Sequence, residues 1–238
     1  LHAGVQTQAK LCRAQYRVAG RRQRAVEAVA WRMISRFVTL ALAVLGAVSV
    51  SAQEAPPASP PVAPATVSIV MTTSEGPITL ALEKERAPLT TANFLRYVDQ
   101  KRLDGVTFYR AMKLGADAGL IQGGPQGEVK RLLPPVKHEP TSQTGLSHVD
   151  ATISMARFAP GSATADFFIT VGPVLSLDAN PAGSGDTAGF AAFGHVVEGM
   201  DVVKRILAAP TSPTAGVGVM KGQMIAAPVQ VLSVRRVK

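Results

Sequence analysis

Three short segments hold the side chains with chemistry to offer. They are Phe108-Tyr109-Arg110, then Leu120-Ile121-Gln122-Gly123-Gly124, then Ile153-Ser154-Met155-Ala156-Arg157 running on to Phe167-Phe168-Ile169. Arginine is a planar donor that keeps its charge at any working pH. What is missing is a nucleophile with a base beside it. After residue 52 the chain carries only His138, His148 and His195, no cysteine and no Gly-x-Ser-x-Gly. A hydrolase working through a covalent intermediate needs a nucleophile, a base and a group that orients the base. Ser154 sits in a strand that reads as inward-facing, and His195 follows the Phe-Gly of another. Three histidines far apart in sequence also make a poor zinc set. Residues 180–189, NPAGSGDTAG, lack the GxxxxGK and following helix of a phosphate loop. What remains is a cation among apolar and amide groups.

Together these segments resemble the cyclophilin family of peptidyl-prolyl isomerases, and the resemblance spans residues 66–238. It implies an isomerase for X-Pro bonds. Arg110 takes the place of the family's principal catalytic group, in a Phe-Tyr-Arg segment where the family has Phe-His-Arg. Gln122 of Ile-Gln-Gly-Gly matches the glutamine that donates to the substrate backbone and positions the arginine. Ala156 and Arg157 match an Ala-Asn pair whose backbone binds the extended peptide. Phe168 matches the aromatic floor of the proline pocket, with Leu120, Leu177 and Phe190 around it. Strand side chains alternate, so Phe168 should face the groove and Phe167 the core. The resemblance implies no cofactor and no metal. The implied partners are proline-containing unfolded or extended polypeptides.

The chain departs from the family in several places. Tyr109 and Phe190 replace imidazoles, which predicts little pH dependence of activity between pH 6 and 8. Asp166 replaces a common glutamine. Gly119 stands where a pocket phenylalanine is usual, so Met112, Leu114 or another residue of a longer loop refills that wall, or the pocket is more open. The Arg157 side chain should face solvent or substrate. Ser176 replaces a tryptophan that helps hold cyclosporin, so weak binding of that drug is expected.

These residues need elements to position them. Val67-Ser68-Ile69-Val70-Met71 and Ile78-Thr79-Leu80-Ala81-Leu82 read as a hairpin turning at Ser74-Glu75-Gly76-Pro77. Residues 88–98 predict a helix, capped by Thr90 or Thr91, with Ala92, Leu95 and Val98 inward and Phe94 close by. Short strands are expected over 107–110, 120–122, 152–155, 167–170 and 191–194. A second helix over 200–209 carries Val202, Val203, Ile206 and Leu207 and ends at Pro210. A last strand over 229–237 should return beside the first. Many short strands with Gly- and Pro-bearing loops suggest a closed barrel or sandwich. The family plan selects a mainly β fold, an eight-stranded antiparallel barrel capped by two helices.

The rest of the chain divides differently. Residues 37–50 form a charge-free, mostly apolar run behind Arg36, and Val50-Ser51-Ala52 offers small residues before Gln53. That is the pattern of a secretory signal, over 33–52, and it is short of the ~20 residues of a membrane span. Residues 1–32 read as an upstream extension and 53–65, QEAPPASPPVAPA, as an extended tether. The net charge of +9 falls mostly on the leader: residues 1–52 hold eight basic side chains and one acidic, residues 53–238 hold 17 and 15. A mature surface of mixed sign argues against nucleic acid as a partner. The expectation is a periplasmic monomer without a membrane span in its mature form. Two other classes keep the fold: a catalytically weak module that binds or chaperones proline segments, and a barrel docked to an envelope complex through the tether.

Overall fold

The computed structural model describes residues 65–115 and 118–237. The extension over 1–32, the signal segment over 33–52 and all but the last residue of the tether over 53–65 lie outside the described residues. The described chain forms a closed antiparallel barrel. Its strands are β1 (Thr66–Thr73), β2 (Gly76–Glu83), β3 (Thr107–Lys113), β4 (Gly119–Gly124), β5 (Thr152–Met155), β6 (Phe167–Val171), β7 (Ala191–Glu198), the two-residue β8 (Thr211–Ser212) and β9 (Met224–Arg236). The order is β1-β2-β7-β5-β6-β4-β3-β9, and β9 pairs back onto β1 to close eight strands, with β8 attached at the edge of β9. Three helices accompany it: α1 (Pro88–Asp99), the single turn α2 (Thr141–Thr144) and α3 (Met200–Ala208). Among the described residues, no helix is long and apolar enough to cross a membrane.

Period-two alternation sorts the side chains between core and outer wall. Phe108, Ala111, Ile121, Ile153, Met155, Phe167, Ile169 and Phe193 point inward and are buried. Phe94 of α1 closes one end of that core. Its ring meets Phe167 at 5.5 Å in an edge-on contact and Phe193 at 5.1 Å. Phe108 meets Phe167 at 5.6 Å, again edge-on. Such pairings contribute beyond their buried area. Val202, Val203, Ile206 and Leu207 of α3 are buried as their spacing predicts.

The first helix departs from the sequence expectation. Pro88 stands at its start, Ala87 precedes it, and no local side chain caps it. Thr90 and Thr91 lie inside the helix and are buried, and Ala92 faces solvent. The cap comes from far along the chain. The buried Glu139 carboxylate accepts the N–H groups of Leu89 (3.2 Å) and Thr90 (2.6 Å) and the Thr90 hydroxyl (2.6 Å). A carboxylate there satisfies orphan donors and complements the positive end of the helix dipole.

Candidate active site

Cross-strand register lines up the candidate residues on the outer wall. Arg110 of β3 stands opposite Gln122 of β4, Gln122 opposite Phe168 of β6, and Phe168 opposite Ser154 of β5. Residues so paired bring their side chains to within about 5 Å. A bulge makes this row possible. Between Phe108 and Arg110, β3 carries one residue more than β4. Without it, Arg110 would share the inward face of Phe108. With it, Tyr109 and Arg110 both stand outside and Ala111 returns to the core.

The Arg110 guanidinium is half-buried and held on three sides. It donates from Nη1 to Gln122 Oε1 (2.8 Å) and from Nε to Gln223 Oε1 (2.8 Å), and Nη2 meets Met112 Sδ at 3.5 Å. A guanidinium has five N–H donors, so two remain for a bound molecule. Burial lowers its pKa, opposed by Tyr109. It stays charged nonetheless, because arginine starts so high.

Gln122 is itself oriented. Its Nε2 donates to the Tyr109 hydroxyl oxygen (2.7 Å), and that hydroxyl donates to Asp166 Oδ1 (3.0 Å). The Gln126 backbone N–H also donates to Asp166 Oδ1, at 3.1 Å. The two departures from the family pattern at 109 and 166 therefore meet each other. Burial pushes the Tyr109 hydroxyl up, and the Asp166 carboxylate adds to the effect. Burial also raises Asp166, against the lowering pull of its hydrogen bonds from Tyr109 and Gln126.

Phe168 shares the outer face with Ser154 but is only 3% exposed. Two rings cover it: His148 stacks on it at 5.7 Å and Phe190 meets it edge-on at 5.5 Å. His148 Nδ1 lies 2.5 Å from Asp178 Oδ1, and Nε2 lies 2.9 Å from Ser154 Oγ. Ser147 and the His148 backbone N–H also donate to Asp178. This has the connectivity of a hydrolase triad, but Ser154 and His148 are both 0% exposed. No substrate carbonyl reaches that hydroxyl. Burial lowers the His148 pKa against the pull of Asp178. Partial burial works upward on Asp178, but the Ser147 and His148 hydrogen bonds outweigh it and hold the carboxyl below its ordinary value. The pair is thus a neutral imidazole donating from Nδ1 to a carboxylate, with Nε2 accepting from Ser154.

The other candidates sit around this floor. Leu120 is buried on the outer face opposite Met112. Leu177 is half-buried, and its carbonyl accepts the Phe190 N–H at 2.9 Å. Ala156 gives its N–H to Asp166 O at 2.8 Å, and no intrachain acceptor meets the Arg157 N–H among the described residues. The Arg157 side chain does not face solvent. It is 1% exposed and folded into the Gly-rich loop. Gly119 leaves no space for a side chain: φ is +155° and a Cβ would lie 2.1 Å from Met112 O. Met112, with its sulfur on Arg110, occupies the neighbouring wall, and Leu114 is 56% exposed.

Sequence reasoning missed Gln223, Glu139 and the His148–Asp178 pair. Gln223 lies just before β9 and is brought in by the Ala111 N–H to Gln223 O bond of 2.9 Å. Nothing local marks a glutamine 113 positions from its partner.

Residues 68–234 match the family described as "Cyclophilin type peptidyl-prolyl cis-trans isomerase/CLD". Peptidyl-prolyl cis-trans isomerase A of Dickeya dadantii is 39% identical over 142 residues, 58% of this chain and 70% of that protein. A peptidyl-prolyl cis-trans isomerase of Acinetobacter baylyi is 35% identical over 175 residues, 72% of this chain and 86% of that protein. The solved structure of a Cryptosporidium parvum cyclophilin type peptidyl-prolyl cis-trans isomerase superposes with a TM-score of 0.56 at 17% identity, covering 73% of this chain and 99% of that one, which shows the shared fold. With the family pattern running across nearly the whole barrel, the chain belongs to the cyclophilin-type peptidyl-prolyl cis-trans isomerases.

Proposed function

We propose that Arg110 performs the isomerisation by stabilising the twisted X-Pro bond, and that the substrates are exported polypeptides. A planar imide resists rotation because the nitrogen lone pair is shared with the carbonyl, a barrier of about 18–20 kcal/mol. Twisting returns the lone pair to nitrogen. A guanidinium beside that pyramidal nitrogen donates to it, and binds the twisted state better than either planar one. No proton is abstracted and no bond is broken. The observation that carries this reading is the row Arg110, Gln122, Phe168: a cation fixed from two glutamines, one position removed from an aromatic floor. Phe168, Leu120, Leu177 and Phe190 supply the cup for the proline ring. The backbone of Ala156 and Arg157 supplies an extended edge for the flanking peptide.

The test compares the full chain with Arg110→Ala in a proline-isomerisation assay. The expected loss is ~10²-fold or more in kcat/KM, about 2.7 kcal/mol of transition-state stabilisation. Unchanged turnover by a folded variant would remove Arg110 from the mechanism. No turnover by either protein, with measurable affinity for proline peptides, would favour the binding module instead.

Export rests on the signal pattern over 33–52 and the Pro/Ala-rich stretch after it. On this reading the protein works as a periplasmic monomer. N-terminal sequencing of the protein recovered from its native host should begin at Gln53; a start upstream of residue 33 would count against export.

A further inference from the structure

Beneath the reactive row lies a question of room. A cup for a proline ring needs open apolar surface, yet Phe168 is 3% and Leu120 4% exposed. The ring standing at the edge is Phe190, which is half-exposed and edge-on to Phe168 at 5.5 Å. How firmly Phe190 is held therefore sets the width of the cup.

It is held unusually firmly for a residue leaving a Gly-rich loop. Its N–H donates to Leu177 O at 2.9 Å. The preceding Gly189 has φ +60°, and a Cβ there would lie 2.5–2.6 Å from the backbone of residues 177–179, so the loop exit is pressed onto that segment. From the opposite side Arg157 Nε donates to Gly189 O at 2.9 Å, and Nη2 donates to the same carbonyl. The guanidinium carbon lies 4.9 Å from the centre of the Phe190 ring, within cation–π range. Nη2 also donates to Asp186 Oδ1 at 2.9 Å and pairs with Oδ2 at 2.8 Å, and Nη1 donates to Phe158 O at 3.0 Å. Asp186 is exposed and belongs to the same loop, where its Oδ1 accepts the Ala188 N–H at 3.2 Å. His138 Nε2 reaches Ala188 O at 3.0 Å. One buried arginine thus clamps the loop, the glycine and the ring together.

We infer that Phe190, clamped by Arg157 and Asp186, is the specificity-determining wall of the proline cup: it admits the five-membered ring and excludes larger cyclic imino acids. The inference rests on the proposed site being the proline site. Phe190 acts by touching the ring; Arg157 and Asp186 are positioning residues that act through it. A close apolar wall discriminates by about 10- to 200-fold per methylene, so one extra ring carbon is the right probe.

The experiment measures kcat/KM of the full chain for two matched peptides, one with proline and one with its six-membered homologue, pipecolic acid. Wild type should prefer proline by ~10-fold or more. Phe190→Ala should reduce that preference at least about 5-fold, chiefly by improving the larger substrate. Asp186→Ala, which changes only an exposed loop side chain, should reduce it in the same direction by about 2- to 3-fold, and Arg157→Ala by more. A variant that merely weakens folding would lower both substrates together and leave the ratio in place. Asp201→Asn, which breaks the exposed pair with Arg205 on α3, serves as the control with an unchanged ratio. An unaltered ratio in both Phe190→Ala and Asp186→Ala, with wild type active, would overturn the wall and leave the site assignment standing. A wild type inactive on both peptides would overturn both.

Discussion

Tyr109 shows how a single hydroxyl can set the geometry of a cation. Because it donates to Asp166, its oxygen is left to accept from the Gln122 amide nitrogen, which turns the amide oxygen toward Arg110. Without an acceptor at 166, Tyr109 is free to donate to that amide oxygen and compete with the arginine. Asp166→Ala should therefore lower kcat/KM by roughly 3- to 10-fold, and Asp166→Asn, which keeps an acceptor oxygen, should recover most of it. Equal losses in both variants would speak against the relay. The same pair of variants carries a pH signature. Burial raises the folded-state pKa of Asp166 above its ordinary 3.8, so the folded protein binds a proton more readily than the unfolded chain. Stability then falls as pH rises from 3.8 through the raised value. Asp166→Asn should match or exceed wild type in Tm at pH 7, and that margin should shrink as the pH falls through the raised value toward 3.8. His148 has the opposite sign. Its folded pKa is depressed below 6.5 by burial, so its contribution is present at neutral pH and is lost as pH falls from 6.5 through the folded value.

At the level of elements, β6 separates folding from function by parity alone. Phe167 packs against Phe94 and Phe108 inside the barrel, and Phe168 stands outside in line with Gln122. Phe167→Ala should cost about 3–5 kcal/mol of stability. In denaturant titrations Phe168→Ala should cost less, while its KM for a proline peptide rises several-fold. Equal stability losses with no effect on KM would place Phe168 in the core instead. The β3 bulge exerts comparable control. One unpaired residue converts an inward arginine into an outward one, and it does so where β9 brings Gln223 alongside. The α1 N-terminus follows the same logic of distant supply, since Glu139 stands where a local threonine was expected.

Across the whole molecule, closure depends on the last strand. β9 pairs with both β1 and β3 and buries Val229, Val231 and Val234. Removing residues 229–238 would open the barrel on two edges and withdraw part of its core. The truncated chain should lose its cooperative thermal transition, followed by circular dichroism. A sharp melt near that of the full chain would show that closure is not what stabilises the fold. Contacts of such long sequence separation close only after a large loss of chain entropy, so partial barrels are not expected to persist.

The sequence by itself determined the alternation that puts Phe167 in and Phe168 out, the buried stripe of α3, the return of the last strand, and the motif segments that identify the family. Each of these is carried by local periodicity or by a contiguous run of residues. The closed eight-stranded plan came with the family resemblance, and the structure agrees with it. Only the tertiary structure decided which groups hold Arg110 and its partners, because Gln223 reaches Arg110 from a loop 113 positions away and Asp166 reaches Tyr109 from a loop 57 positions away. It likewise decided that Ala92 faces water, that Ser154 is sealed under His148, and that Arg157 turns into its own loop. Patterning along a strand or helix fixes which face a residue occupies. What waits on that face depends on which distant segment the closed barrel brings there, and no local signal in the chain carries that information.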